Sequence, residues 1–321
     1  MARRPTATLL EAVIDIDSTT TLADGIRRTV IEQSKRANVG HIGSALSIAD
    51  ILAALYGGVL EPPAPHARRD PAAQLPQDPA AQARRDPASH IPPGPASQPR
   101  DPAAHSQRDR LVLSKGHASL ALYAALELTG RLPAGTTGSY CTDGTLLGVH
   151  PERELDGVDF CAGSLGHGLP IAVGAALAAR LEGSSRRVFV VMSDAELNEG
   201  SVWEAVMFAA HHHLANLVVI LDLNGQQAMG YTRDVLDLDA PARRWEAFGW
   251  EVHELDGHDP SAMQTTIQDL DFAAGAPHLI IAHTTFGKGV SFMRSVIDWH
   301  YLPMTDEQYH QALSELQGAV V

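Results

Sequence analysis

The sequence is poor in cysteine and has no long apolar run. Cys141 and Cys161 are the only cysteines in 321 residues, which argues against a disulfide framework and fits a reducing cytoplasm. No apolar run reaches about 18 residues, so we expect no membrane span. The N-terminus, MARRPTATLLEAVIDIDSTTT, has a short apolar patch interrupted by acids, which is not typical of a secretory signal. These absences predict a cytoplasmic protein.

Basic charge is scarce as well. Lysine and arginine total 24 against 38 acidic residues, which gives a net charge of −14 and a pI near 5.5. Because little of this surface would neutralise a phosphate backbone, general nucleic-acid binding is disfavoured. The chain also lacks a Gly-x-Gly-x-x-Gly motif after a first strand, which disfavours a nicotinamide dehydrogenase.

One segment, residues 62–108, differs in composition from the rest. It is rich in proline, alanine, aspartate and arginine, and Asp-Pro pairs recur at Asp70, Asp78 and Asp86. Proline at this density removes backbone donors, and almost no large apolar side chain is present to be buried. We expect a disordered, partly polyproline II surface insertion. A tether that docks a partner is the alternative.

Outside that insertion, strand and helix patterns alternate. The predicted strands cover residues 110–114, 187–193, 216–223, 250–257 and 278–286, and the predicted helices cover residues 20–37, 47–57, 118–130, 168–183, 201–214 and 260–273. Ser47 is the candidate N-cap of the second helix. Near-continuous apolar strands between helices indicate an α/β fold with a parallel sheet covered by helices on both faces. We expect residues 1–321 to form one domain of this class.

Polar side chains follow two of these strands. Asp194 lies at the carboxyl end of strand 187–192, and Asn224 follows strand 217–222. Their spacing fits one right-handed β-α-β unit, which would bring both residues to the ligand-binding edge of the sheet. A carboxylate, an amide oxygen and a nearby main-chain carbonyl suit Mg²⁺ or Ca²⁺ bridging to a diphosphate. Taken alone, Asp194 would be better explained as a helix N-cap.

Several of the 16 histidines lie in predicted loops, most of them beside glycines. These are His41 in NVGHIG, His117 in SKGHAS, His150 in LGVHPE, His167 in SLGHGL and His300 in DWHYLP. Imidazole can donate, accept or transfer protons near neutral pH, so these are candidate site residues. For each one alone, a structural role is the stronger alternative. The run His211-His212-His213 is expected to end a helix, because consecutive helical side chains point in different directions.

Five segments resemble, in order, the N-terminal subunit of split transketolases. They cover residues 34–56, 110–130, 162–180, 195–225 and 286–313. The similarity spans nearly the whole chain apart from the insertion and the termini. It implies the thiamine diphosphate (TPP) binding fold, and transfer of a two-carbon ketol unit from a ketose to an aldose acceptor. In that family an aspartate, an asparagine and the carbonyl two residues on hold the metal; here these are Asp194, Asn224 and Gln226.

The resemblance also implies roles for individual residues. His41, His150 and His300 match catalytic-site histidines that contact the hydroxyls and carbonyl of the sugar. The implied cofactor contacts are His117 beside the diphosphate and Gly166, whose main chain meets the aminopyrimidine. The other implied cofactor-binding residues are His167, Asp194, Ala195, Glu199 and Asn224. Glu199 and Glu204 match glutamates that lie at the subunit interface in transketolases; a solvated helix start is the alternative.

One loop departs from the family pattern. The family has Gly-Asp-Gly where this chain has Ser193, Asp194 and Ala195. The β-carbon of Ala195 would crowd the diphosphate, or cost about 1 kcal/mol if its φ were positive. We expect cofactor binding to survive in weakened form. A non-catalytic scaffold that no longer binds TPP is the alternative that this loop motivates.

The resemblance ends with the first half of the enzyme. A complete transketolase has a second α/β domain that carries the activating glutamate and the pyrimidine pocket. We therefore expect a separate C-terminal subunit, an α₂β₂ assembly and no activity of this chain alone. The insertion and the altered loop favour a specialised sugar or sugar phosphate as substrate. A related TPP-dependent acyl-transfer or decarboxylating subunit is a further alternative.

Overall fold

A parallel sheet lies at the centre of the structure. The computed structural model describes residues 19–60, 107–273 and 275–318. Within these ranges the strands are β1 (Arg110–Leu113), β2 (Val188–Ser193), β3 (Leu217–Leu223), β4 (Gln226–Gln227), β5 (Gly230–Tyr231), β6 (Glu251–Asp256) and β7 (His278–His283). The main sheet has the order β1-β2-β3-β7-β6 with every pair parallel, and β4 and β5 form a short antiparallel hairpin.

Helices cover both faces of this sheet. They are α1 (Thr19–Ala37), α2 (Ile42–Ser47), α3 (Ala49–Ala54), α4 (Ser119–Leu128), α5 (Gly168–Leu181), α6 (Gly200–His211), α7 (Thr232–Val235), α8 (Pro241–Ala247), α9 (Pro260–Gln268) and α10 (Asp306–Gly318). Short 3₁₀ turns at Gly116–Ala118 and Asp194–Asn198 follow β1 and β2 directly.

Strand side chains alternate between two cores. In β2, Phe189 and Val191 pack with α1 to α4 on one face, whereas Val190 and Met192 pack with α5 and α6 on the other. Every residue of β2 is buried, as expected for a central strand of a sheet covered on both sides. The predicted α/β class is confirmed.

Two helix predictions need correction. The second helix begins at Ile42 rather than residue 47, and it continues as α3 and a π-helical turn, Leu55–Val59. Ser47 is therefore not an N-cap: it ends α2, and its hydroxyl donates to Ser44 O (3.0 Å) and lies 2.8 Å from the Asp222 carboxylate. The helix expected at 260–273 ends at Gln268. The histidine run ends α6 as predicted.

Some sequence predictions concern residues that the structure does not describe. Of the proposed insertion at 62–108, residues 62–106 lie outside the described ranges. Cys141 and Cys161 are both free and exposed. None of the described helices is long and apolar enough to cross a membrane.

Helix α5 meets the end of β1 at a glycine. A β-carbon added to Gly168 would lie 2.7 Å from the Cα atom of Ser114, which no side-chain rotation can relieve. Gly174 lies on the same helix but is exposed, and a β-carbon added there would have no atom of the described residues within 4 Å beyond its own helix turn. The two glycines thus differ in packing but share one helix.

We predict opposite effects of alanine at these two positions. Gly168→Ala should lower the free energy of unfolding by about 1–3 kcal/mol, because the backbone must shift. Gly174→Ala should raise it by up to about 1 kcal/mol, through helix propensity. Urea unfolding of the purified chain measures both values. Equal effects of the two substitutions would contradict the close approach at Gly168.

Candidate active site

The carboxyl ends of β2 and β3 bring Asp194 to the loop that contains Asn224. Ser193 and Asp222 are register partners, so the residues after each strand emerge side by side. Oδ2 of Asp194 accepts a hydrogen bond from the Gly225 N–H at 2.7 Å, and Oδ1 accepts one from the Ala195 N–H at 2.9 Å. The structure therefore places the carboxylate against the loop at Asn224, as the strand spacing predicted.

The side chain of Asn224 is held from both ends. Its Nδ2 donates to Oδ2 of Asp222 at 2.9 Å, which orients the amide, and its Oδ1 accepts from the Gln226 N–H at 2.9 Å. Oε1 of Gln226 is buried and has no hydrogen-bond partner among the described residues. A carboxylate, an oriented amide oxygen and an unpaired amide oxygen thus occupy one strand edge.

A buried ion pair beneath this loop was missed by the sequence analysis. Lys115 is 1 % exposed and pairs with Asp222, which is fully buried. The hydroxyls of Ser47 and Thr284 also bond to the Asp222 carboxylate, so α2, β1, β3 and β7 meet there. The signal in the sequence was the single acid in the apolar run LVVILDL, since a buried acid in a central strand requires a partner.

The charge at this edge favours a bound cation. Burial, followed by repulsion from Asp222, raises the pKa of Asp194 to about 7. Two buried carboxylates face one buried ammonium, which leaves an excess negative charge when Asp194 is ionised. Hard oxygen donors with excess negative charge are what Mg²⁺ requires. The residues present therefore fit a divalent cation.

Three of the predicted histidines lie together above these strand ends. The ring centroids are 5.4 Å apart for His41 and His117, 5.7 Å for His41 and His300, and 5.6 Å for His117 and His300. His150 lies close to Gly116, the residue before His117: a β-carbon added to Gly116 would be 3.2 Å from Cδ2 of His150. Histidines from four separate segments thus form one cluster.

The backbone around His41 is held in an unusual conformation. His41 has a φ of 61°, in the left-handed region, and its N–H donates to His300 O at 3.2 Å. A β-carbon on Gly40 would lie 2.3 Å from Tyr301 O, so the two loops are in direct contact. The ring of Phe286 stacks on His300 with an interplanar angle of 2°. Strain of this kind persists where surrounding contacts impose it, and is common at functional sites.

Three of the clustered imidazoles, those of His41, His117 and His300, are neutral near pH 7. Burial lowers the pKa of His41, lowers that of His117 well below its usual range, and lowers that of His300 to about 4. Nδ1 of His41 and Nδ1 of His300 are buried, and neither has a hydrogen-bond partner within the described ranges. Neutral rings with unpaired nitrogens can each donate to or accept from a bound polar molecule.

A second residue that sequence analysis missed, Glu196, connects Gly166 to β2. Its Oε1 accepts from the Gly166 N–H (3.0 Å) and the Ser114 hydroxyl, and its Oε2 accepts from the Ser193 N–H (2.8 Å). Burial raises its pKa, although these hydrogen bonds lower it. Gly166 has a φ of 78°, and a β-carbon there would lie 2.5 Å from Cβ of Glu199. Glycine is therefore required at 166.

The altered loop has a local explanation. Ser193 is the N-cap of the 3₁₀ turn Asp194–Asn198 and forms a capping box with Glu196, so the N-cap is Ser193 and not Asp194. Ala195 is not among the residues with positive φ, so its backbone conformation does not require glycine. The expected conformational strain is absent at Ala195 itself. His167, Glu199 and Glu204 are exposed.

Comparison with known proteins agrees with this geometry. Residues 95–317 match the family model described as "Transketolase, thiamine diphosphate binding domain". The chain belongs to the transketolase family. A subunit of an apulose-4-phosphate transketolase from Phocaeicola vulgatus is 35% identical over 294 residues, covering 92% of both chains. A subunit of a 6-deoxy-6-sulfo-D-fructose transketolase from a Clostridium species is 34% identical, covering 92% of this chain and 94% of that one.

Solved transketolases share the fold but are longer. The enzyme from Campylobacter jejuni superposes with a TM-score of 0.76 at 27% identity, covering 95% of this chain and 43% of that one. The Pichia stipitis enzyme, solved as a complex with sedoheptulose 7-phosphate, gives 0.75 at 25% identity, covering 93% and 40%. This transketolase chain thus spans nearly all of the two relatives that are named as subunits, and less than half of the solved enzymes. It is the N-terminal, TPP-binding subunit of a two-component transketolase, a transferase.

Glu196 provides a first test of the site. Glu196→Gln would place an NH₂ group against donors from Ser193 or from Ser114 and Gly166, so we expect the free energy of unfolding to fall by about 2 kcal/mol. Urea denaturation of the transketolase chain measures it. Glu246→Gln, at an exposed position, is the matched control and should change stability by less than about 0.5 kcal/mol. An unchanged free energy of unfolding in Glu196→Gln would contradict the proposed hydrogen-bond role.

The lowered histidine pKa values predict acid sensitivity. The pKa of His300 is about 4 in the folded chain and 6.5 ordinarily, so between these pH values only the unfolded chain binds the proton. Stability should therefore fall as pH decreases from 6.5, by up to about 1.4 kcal/mol per pH unit from this residue. His300→Asn should remove that part of the slope in urea unfolding at pH 7, 6 and 5. The exposed His310→Asn should keep the wild-type slope, and equal slopes in both variants would refute the assignment.

Proposed function

We propose that this chain combines with a separate C-terminal subunit into a TPP- and Mg²⁺-dependent transketolase acting on a specialised sugar. The observation that carries the proposal is the convergence of His41, His117 and His300 above the strand ends where Asp194 meets the Asn224 loop. Ketol transfer requires residues that bind a sugar next to a metal site that anchors an anionic cofactor. Bound TPP would supply the nucleophilic carbon that takes up the ketol unit.

The metal would be held by the oxygen set at the β2 and β3 ends. We assign the Asp194 carboxylate, the Asn224 side-chain oxygen and the main-chain carbonyl of Gln226 as ligands of Mg²⁺, with Ca²⁺ as a substitute. The bond from Asn224 Nδ2 to Asp222 turns the amide oxygen away from Asp222. That oxygen accepts from the Gln226 N–H and has a second lone pair for the cation. Lys115 neutralises Asp222, so the charge that attracts the cation is that of Asp194.

Further residues would bind the organic part of TPP. We assign His117 to the diphosphate, and Gly166, His167, Ala195 and Glu199 to the surroundings of the cofactor. The support is positional: Gly166 is connected through Glu196 to the same loop as Asp194, and it packs directly against Glu199. The exposure of Glu199 suits contact with a partner chain.

His41, His150 and His300 would position the sugar. Because burial keeps His41 and His300 neutral, each ring can donate a hydrogen bond from one nitrogen and accept one at the other. The rings of His41 and His300 would bond to sugar hydroxyls or a carbonyl, and a neutral imidazole can accept and return a proton at that oxygen. The contact between the His41 and His300 loops holds both rings in place.

The partner is proposed to be a C-terminal transketolase subunit in an α₂β₂ assembly. The two relatives named as subunits are matched over nearly their full length, whereas the solved enzymes are more than twice as long as the matched region. Exposed apolar side chains, Met207 and Phe208, lie on α6 together with Glu199 at its start and Glu204. A partner that covers α6 would bury them. The two free cysteines support a cytoplasmic location.

The substrate is proposed to be a ketose with an anionic terminal group. Two of the relatives are named for a sugar phosphate, apulose 4-phosphate, and a sulfonated sugar, 6-deoxy-6-sulfo-D-fructose. Phosphate and sulfonate share tetrahedral anionic oxygens, so one site can bind either. Such donors point to a specialised pathway, as the sequence suggested.

The function is tested in the assembled enzyme. The chain is mixed with the C-terminal subunit of the same genome, TPP and Mg²⁺, and ketol transfer to an aldose phosphate is assayed with the two anionic donors and with sedoheptulose 7-phosphate. Asp194→Asn should lower TPP–Mg²⁺ affinity by at least about 100-fold and abolish transfer, since the charged ligand is lost. Asp237→Asn, an exposed aspartate, should retain both.

Three outcomes would count against the proposal. TPP binding that is equal in wild type and Asp194→Asn would refute the metal assignment. Absence of TPP binding by the wild-type complex would favour the scaffold alternative. Binding without ketol transfer from any ketose, but with acyl transfer or decarboxylation of a 2-oxo acid, would favour the related TPP enzymes.

A further inference from the structure

A cluster of metal-binding side chains lies at the opposite end of the sheet. Glu251 begins β6 and His278 begins β7, and the two are register partners. His253 follows two residues after Glu251, so the three side chains project from the same face of the sheet. Five residue steps along β7 separate this end from the Asp194 edge, about 16 Å at the rise of a parallel strand. The cluster is therefore separate from the TPP site.

The spacing of these side chains matches a tetrahedral metal centre. Nε2 of His253 lies 3.5 Å from Oε1 of Glu251, and Nδ1 of His278 lies 3.1 Å from Oε2. The ligand atoms of the three residues all lie within 4.8 Å of one another. Zinc–nitrogen and zinc–oxygen bonds of about 2.0–2.1 Å in a tetrahedron give ligand–ligand separations of about 3.3 Å. Each nitrogen thus lies at about this separation from one oxygen of the Glu251 carboxylate, Oε1 for His253 and Oε2 for His278.

Hydrogen bonding leaves the two rings unsatisfied. His278 is fully buried, with the Glu251 carboxylate 3.1 Å from its Nδ1 and the Asp271 main chain near the ring, but neither ring nitrogen makes an aligned hydrogen bond to any described residue. The buried Nε2 of His253 likewise has no aligned partner in the described part of the chain. Buried polar atoms without partners are rare, and an ion or a water is the usual explanation.

The packing around His278 fixes its ring. Phe272 packs edge-to-face against His278 at 5.6 Å between centroids, which fixes the ring orientation. The position is thus preorganised without the ion.

We propose that Glu251, His253 and His278 bind one Zn²⁺ ion, which joins β6 to β7. Two imidazoles and one carboxylate form a ligand set used by zinc, with water in the fourth position, and imidazole disfavours Mg²⁺. Glu251 and His253 are partly exposed, so the water and the entering ion have access. β6 pairs only with β7 among the described strands, so a metal bridge would stabilise an edge strand. This site is independent of the proposed function.

The same two strands supply a matched control. Glu254 and His283 form an exposed pair with 2.8 Å between Oε2 and Nε2. No third histidine, cysteine or acidic ligand of the described residues joins that pair. His283→Ala therefore removes a histidine from β7 without removing a ligand of the proposed zinc site.

Cobalt binding to the full chain is the test. The protein, without a histidine tag and stripped with a chelator, is titrated with Co²⁺ in the presence of excess Mg²⁺ and TPP, so that Mg²⁺ competes with Co²⁺ for the oxygen ligands around Asp194. We expect one equivalent of Co²⁺ to give intense visible bands of tetrahedral coordination, and Zn²⁺ to displace it. His253→Ala and Glu251→Gln should weaken binding about 100-fold or more, whereas His283→Ala should bind as wild type does.

Thermal unfolding gives a second readout. Zn²⁺ should raise the midpoint of wild type and His283→Ala, and should leave that of His253→Ala unchanged. Both substituted ligands are partly exposed, so equal midpoints without metal establish that the variants are folded. Absence of tetrahedral bands in wild type, or equal Co²⁺ affinity in wild type and His253→Ala, would overturn the proposal.

Discussion

The site depends on the parallel pairing of β2 with β3. Six register pairs, from Val188 with Leu217 to Ser193 with Asp222, fix where each strand ends. A shift by one residue would turn the buried side chains of one strand to the opposite face, so both cores oppose it. The same constraint that aligns the cores therefore aligns Asp194 with the Asn224 loop. The packing of the two cores and the geometry of the site both follow from the pairing of β2 with β3.

The two buried carboxylates at the strand ends, Asp222 and Asp194, differ in whether a cationic side chain pairs with them. The Lys115–Asp222 pair is buried and further bonded by the hydroxyls of Ser47 and Thr284, which meets the requirement that buried charges be paired and hydrogen-bonded. Asp194 has main-chain N–H donors but no cation of its own among the described side chains. Lys115 therefore fixes the position of Asp222 and Asn224. Asp194 has no such partner among the described residues, and burial followed by repulsion from Asp222 raises its pKa to about 7, so the cation that we propose would favour its ionised form.

The sequence was informative where local pattern decides the structure. Apolar runs predicted the strands, and their spacing predicted that Asp194 and Asn224 meet, because strand ends and crossover lengths are local properties. Lys115 was missed since its partner, Asp222, is 107 residues away. Glu196 had a local signal, the Ser-x-x-Glu spacing of a capping box with Ser193, but its contact with Gly166, 30 residues away, had none. The N-cap assigned to Ser47 failed for the same reason, because a tertiary contact with Asp222 uses its hydroxyl.

The loop with Ser193 and Ala195, where the family pattern has two glycines, keeps a connected set of hydrogen bonds. In a loop that had lost its role, side chains have no reason to keep a connected set of hydrogen bonds. Here the Ser193 cap holds Glu196, and Glu196 holds Gly166 at the place where only glycine fits. Serine thus replaces the flexibility of glycine with a fixed turn, and Ala195 accepts that turn without positive φ. These hydrogen bonds hold the Asp194 carboxylate in the position where we propose that it binds a cation.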